Sequence, residues 1–138
     1  MIDIIDKFNF DRPLPILAAK VNNVVEGLKF RLYTNRDIQF LDYTSYAGRS
    51  VYCRSLCFLL TKAAADICPG WRITVRRPIS KGYFCELIPP GGNLLDKDCI
   101  ERIKVRMQEL VERNEIFHRH EVHTEEAIEL FRSLGYDD

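Results

Sequence analysis

No stretch of the sequence is apolar for long enough to cross a bilayer: the strictly apolar runs are a few residues long, against about 20 for a spanning helix. No charge sign dominates. Twenty Lys and Arg balance twenty Asp and Glu, which argues against a chain that coats nucleic acid by bulk electrostatics and leaves room only for a local basic patch. No basic-then-apolar leader opens the chain, since Met1, Ile2, Asp3, Ile4, Ile5 and Asp6 put acids where a secretory signal has bases. The five cysteines (Cys53, Cys57, Cys68, Cys85 and Cys99) are odd in number and contain no CxxC pair, so free thiols in a reducing cytoplasm are expected. There is no internal repeat, no low-complexity tract and no GxxxxGK[ST] phosphate loop. No Ser/His/Asp arrangement or pair of acid–base carboxylates stands out, so no catalytic residue is assigned.

What is present is a globular composition. Of 138 residues, 46% are hydrophobic and 11% aromatic, enough to bury roughly two-thirds of the unfolded surface. Ile2, Ile4, Ile5 and Phe8 fall on helical spacing, ended by Pro13 and Pro15. Residues 16–21 read as a short strand, Asn22-Asn23 as a turn, and the alternating Leu28, Phe30 and Leu32 as a second strand. Ile38 and Phe40 make a third. From Ser50 to Ile67 the pattern turns helical until Cys68-Pro69-Gly70. Trp71, Ile73 and Val75 alternate with Arg72, Thr74 and Arg76 as a strand. A loop over Pro78–Gly82 leads to a returning strand over Tyr83–Ile88. Leu95, Cys99, Ile103, Met107 and Leu110 mark a long amphipathic helix that Asp96 can cap. Residues 116–122 read as a short strand and residues 125–134 as a last helix. The class is α+β.

Residues 71–135 carry a family likeness. Arg77 to Leu87, reading RPISKGYFCEL, resembles the "P-I-x-x-G-F-Y-Y-D-F" hairpin of the second N-terminal domain of threonyl-tRNA synthetases. Leu95-Asp96-Lys97-Asp98 with Ile100 to Lys104 resembles that domain's "L-T-x-x-D-x-x-x-I-E-x-x-M" helix, ending at Met107. Arg119 to Val122 with Glu125 to Phe131 is similar to its "R-R-E-V-S-x-E-E-A-I-E-L-F" tail. Three motifs in order are specific where one would not be. Residues 18–42 resemble the second half of a TGS domain, a small β-grasp module. The resemblance implies a TGS-like unit over 1–47, its opening hairpin missing, and a synthetase editing-domain-like unit over 48–138, its C-terminal part missing. In that editing domain the helix after the TGS unit carries H-x-x-x-H. The corresponding positions here are Arg54 and Phe58. Gly48 to Leu60 instead resembles the "G-x-x-x-Y-x-R-S-L-x-F-L" stretch of uridine-type nucleoside kinases that carry such a region. The implied function is a non-catalytic regulatory or ligand-binding module of a nucleoside kinase, binding a nucleotide, RNA or small effector. ATP and Mg would belong to the parent kinase and none to this segment, and its partner would be the catalytic domain in the same chain. An oligomerisation scaffold, with a second copy as partner, and a diverged aminoacyl-tRNA editing domain are the alternatives.

The candidate ligand-binding residues are Arg49, Arg54, Arg72, Arg76, Arg77, Lys81 and Tyr83. Arg72 and Arg76 share a strand face. If the preceding helix packs on the hairpin, as the resemblance implies, Arg49 and Arg54 would face the same groove. Planar guanidiniums suit phosphate or carboxylate, and Tyr83 or Tyr52 could stack a base. The plain alternative is a solvated strand face paired to Glu86 or Asp98. His118 and His120 would share one face of a strand, but no residue at metal-site spacing completes a set, so no metal is assigned. Cys53 and Cys57 share a helix face and read as structural thiols. His123 stands where the family's capping serine does, leaving capping to Thr124 or Glu126.

Overall fold

A serine and a close-approaching glycine set the start of the longest helix. In the computed structural model, which describes residues 1–8, 13–80, 82–91 and 96–134, Ser45 is the N-cap of α2 (Tyr46–Ile67). Its Oγ accepts from the Gly48 amide at 3.0 Å and donates to the Asp42 carbonyl at 2.9 Å. Asp42 Oδ1 in turn accepts from the Thr44 amide at 2.9 Å. A cap hydroxyl on the third amide of a helix satisfies one of the four orphan donors there. The helix therefore begins four residues before the expected Ser50, and Gly48 lies within its first turn.

The contacts divide the chain into Met1–Phe58 and Leu59–Asp138. The first unit holds α1 (Ile2–Phe8) and an antiparallel sheet of β1 (Ala18–Val21), β2 (Val24–Glu26) and β3 (Ile38–Leu41), in the order β2-β1-β3. Val21 pairs with Val24, so Asn22-Asn23 forms a two-residue hairpin loop. Both asparagines have positive φ, 46° and 71°, the pairing a type I′ turn requires and that asparagine tolerates. Asn22 also bonds Asp37 through both its backbone and its side chain. Met1, Ala19 and Val21 form the buried cluster, with Leu32, Ile38 and Phe40 against it. The strand expected across Leu28, Phe30 and Leu32 is not formed. The Phe30 amide bonds the Gly27 carbonyl at 3.0 Å, a turn that breaks extended pairing, and Leu32 reaches the cluster from irregular chain.

In the second unit, β4 (Arg72–Ile79) and β5 (Gly82–Ile88) form an antiparallel hairpin. Ile79 pairs with Gly82, so Pro78 and Ile79 belong to the strand rather than to the expected loop. α3 (Lys97–Glu112) is capped by Asp96, whose side chain accepts from the Asp98 amide at 3.3 Å. It stops in a Schellman arrangement at Asn114 (φ 50°), with the Asn114 amide on the Val111 carbonyl and the Glu115 amide on the Leu110 carbonyl. Ala63, Ala64 and Cys68 of α2 and its end pack with Ile103 and Leu110 of α3. Cys99 and Met107 join them, so the amphipathic stripe of α3 is a core stripe. Leu95, expected in that stripe, lies outside the described residues. α4 (Thr124–Ser133) follows His123, whose side chain makes no cap hydrogen bond. Residues 116–122 form no strand, a correction to the expected helix–hairpin–helix–strand–helix order. Ile116 and Phe117, in irregular chain, are exposed. Among the described residues the architecture is mixed α and β, with two small antiparallel sheets. No helix among the described residues is long and apolar enough to cross a membrane.

An ion-pair network joins α2 and α3 within the second unit. Arg106 reaches Asp66 at 2.9 Å and Glu109 at 2.9 Å, and Lys62 also bonds Asp66. Hydrogen bonding from Lys62, opposed by burial and reinforced by Arg106, holds the Asp66 carboxyl below its ordinary value of 3.8. A depressed folded-state value means the unfolded chain binds the extra proton, so this stabilisation is complete above 3.8 and fades as pH falls through the folded value. Asp66→Asn is therefore expected to lower the melting midpoint at neutral pH, by a margin that shrinks as the pH falls below 3.8. Melting curves of both proteins across that range check it.

Candidate functional site

The β4–β5 hairpin places its basic residues by register. Thr74 pairs with Glu86, Val75 with Cys85, and Pro78 with Tyr83. Between the last two pairs, Arg76 and Arg77 stand against Phe84 alone, which is a β-bulge. Strand alternation puts Arg72, Thr74 and Arg76 on one face with Phe84, Glu86 and Ile88 across from them. The opposite face carries Ile73 and Leu87, both packed on the α2–α3 core. The arginine face is thus the outward one.

On that face Arg76 Nε donates to Glu86 Oε2 at 2.8 Å, the intrachain pairing that the plain reading of the strand anticipates. The Arg77 side chain makes no hydrogen bond or ion pair among the described residues. Phe84 is 45% exposed. An open cleft of about 560 Å3 is lined by Thr74, Val75, Arg76, Arg77, Phe84 and Glu86. Tyr83 lies at a register position of the other face, so the aromatic ring beside the arginines is Phe84. Sequence reasoning missed it because the bulge, invisible in the residue pattern, decides which neighbours share a face. Lys81 lies outside the described residues.

Arg49 and Arg54 are exposed on the part of α2 that belongs to the first unit. The Arg49 guanidinium sits 6.0 Å from the centroid of the Tyr43 ring, and Tyr43 meets Tyr52 edge to face at 5.1 Å. These contacts form a local cation–π and aromatic cluster at the start of the helix. Tyr52 is engaged there.

Phe58, four residues beyond Arg54, is 61% exposed. Neither side chain can serve as a neutral imidazole base or metal ligand. His118, His120 and His123 are exposed, and the first two lie outside any strand, so the shared strand face expected of them does not exist. Among the described residues no three His, Cys, Asp or Glu side chains gather as a metal-binding group. Cys53 and Cys57 are half-buried on α2, and Cys85 is exposed on β5. Cys68 is buried, and its thiol is pushed up to about 11 by burial and by the neighbouring Cys99, with Arg102 opposing.

No family model matches the chain. Relatives are found among the threonine–tRNA ligases. That of Ehrlichia chaffeensis is 26% identical over 121 residues, covering 88% of this chain and 19% of the ligase. That of Symbiobacterium thermophilum is 28% identical over 121 residues, covering 88% and 18%. That of Rubrobacter xylanophilus is 26% identical over 120 residues, covering 87% and 18%. The chain spans about a fifth of the length of these relatives. Over most of its own length it is similar to threonine–tRNA ligases.

Proposed function

We propose that this chain is a diverged counterpart of the amino-terminal, editing-type region of threonyl-tRNA synthetases, retained as an RNA-recognition module without hydrolytic activity. The observation that carries it is the likeness to threonine–tRNA ligases over nearly nine-tenths of the chain. A match of 121 of the 138 residues takes in the hairpin and α3 motifs and the helix positions held by Arg54 and Phe58. The relatives support the synthetase side of the resemblance and give none to the kinase side, so ATP, Mg and a kinase partner are not carried forward.

The absence of both histidines removes the groups that would activate a water at those positions. The exposed guanidiniums are groups that can pair with a phosphate backbone. On a chain of zero net charge, such contacts would be local and specific in place.

Incubation with mischarged tRNA is expected to give no deacylation above the uncatalysed rate. A fluorescence-anisotropy titration with tRNA is expected to show saturable binding that weakens steeply with salt. Deacylation above background would make the chain an editing enzyme, and absence of tRNA binding would remove the recognition role.

A further inference from the structure

We propose that the outward face of the β4–β5 hairpin, centred on the bulge at Arg76 and Arg77, binds a nucleotide unit, with its base stacked on Phe84 and its phosphate held by Arg77. The inference deepens the RNA-recognition reading by giving it a site. It rests on features that the sequence pattern alone did not join.

Regular alternation would send Arg76 and Arg77 to opposite faces of the hairpin. The bulge sets both against Phe84, and both line the same cleft with it. A bulge bends its strand and re-aims side chains, and bulges are common beside functional sites. The cleft is open to solvent, which leaves the ring and the guanidiniums accessible to a ligand.

The chemistry of the lining is divided. Among the described residues Glu86 is the one carboxylate of the lining, and Arg76 holds it at 2.8 Å. That pairing neutralises the group that would repel an anion. Arg77, next in sequence, has no partner among the described residues and is exposed. A guanidinium with unfilled donors suits a phosphate, which it can grip through two parallel hydrogen bonds. Phe84 offers a flat apolar surface with no polar atom to satisfy. An exposed ring beside arginines is the stacking platform that single-stranded nucleic-acid sites use, and it tolerates any base. A plain anion would leave Phe84 unused and an apolar ligand would leave Arg77 unused. A nucleotide uses both. The Thr74 hydroxyl, on the same face, adds one donor and acceptor for sugar or base.

The test titrates an end-labelled oligoadenylate by fluorescence anisotropy, with AMP as competitor, against the wild type, Phe84→Ala, Phe84→Tyr and Arg77→Gln. Melting curves accompany each variant; the substituted side chains are exposed, so the midpoints should not move. Phe84→Ala is expected to weaken binding about 5- to 100-fold, the range for losing one base–aromatic stack. Phe84→Tyr should bind within about twofold of wild type, because the ring remains. Arg77→Gln should weaken binding and lower the slope of log K against log salt by about 0.7, one phosphate contact on a single strand. Competition by AMP at concentrations similar to those of the strand would identify a free nucleotide as the source of the unit. Failure of AMP to compete would identify an RNA strand.

Unchanged binding in Phe84→Ala, or no binding of either probe by the wild type, would overturn the site. If tRNA binds and Phe84→Ala leaves it unaffected, this site fails while the recognition role stands. If tRNA does not bind but oligoadenylate binding depends on Phe84, the recognition role fails while this site stands.

Discussion

Gly48→Ala is expected to destabilise the protein by about 1–3 kcal/mol, the usual cost of forcing an extra methyl into filled space. General helix propensity predicts the opposite. Alanine within a helix is favoured over glycine by roughly 0.5–1 kcal/mol, so the sign of the effect decides between propensity and packing. Packing wins because a Cβ at Gly48 would press into the Asp42 carbonyl, well inside van der Waals contact with its oxygen and 2.8 Å from its carbon and from Ser45 Oγ. The obstacle is mainly backbone and cannot swing aside. Moving it would break the bond between Ser45 Oγ and the Asp42 carbonyl, and with it the cap of α2. The sole tryptophan, Trp71, belongs to the other unit, so urea unfolding followed by far-ultraviolet circular dichroism is the suitable measurement. A midpoint equal to or above that of the wild type would show that Asp42 yields without cost.

Leu110→Ala should cost about 2–5 kcal/mol, the range for truncating a leucine in a packed core. Leu110 is 3% exposed and lies in the cluster with Ala63, Ala64, Cys68 and Ile103. Three of those neighbours, Ala63, Ala64 and Cys68, are small and have little side chain to move into the space left by the isobutyl group, so repacking would fall to Met107 and the larger residues around the cluster. Its carbonyl also accepts the Glu115 amide in the stop of α3, a bond that the substitution leaves in place. The loss is therefore one of packing. Trp71 packs on the same cluster, so its fluorescence reads this transition directly in a urea titration. Leu110→Met, close in volume, should cost less than about 1.5 kcal/mol. Equal losses in the two variants would argue that the site is intolerant for a reason other than the cavity.

The elements legible in the sequence are those whose signals are local. Asn22-Asn23 announces a tight turn because few other residues accept two successive positive φ values. Asp96 announces a cap, and the spacing of Cys99, Ile103, Met107 and Leu110 announces a buried helix face. What failed depends on partners elsewhere in the chain. Leu28, Phe30 and Leu32 alternate like a strand, but alternation gives no ladder partner, and the turn at Gly27 removes the backbone from pairing. Residues 116–122 fail in the same way. Ser45 is a residue type that caps helices, but the apolar periodicity begins only after Gly48, and a glycine in a first turn usually signals a break, so the pattern places the start at Ser50. The basic residues of the hairpin were readable from composition. Phe84 was not, because one residue of register decides its face and no residue type marks a bulge of this kind.

The Cys68 thiol has a consequence in kinetic terms. The thiolate is the species that reacts with alkylating agents and disulfides. Burial and a thiol raised to about 11 make that species scarce while α2 and α3 stay packed. Chemical capture of Cys68 then requires the helices to part, so its modification rate is set by how often that core opens rather than by reagent strength. Cys85, exposed on β5, needs no such opening. The chain thus carries a built-in reference and a clock of the same chemistry: Cys85 reports the reagent, and Cys68 times the opening of the helical core.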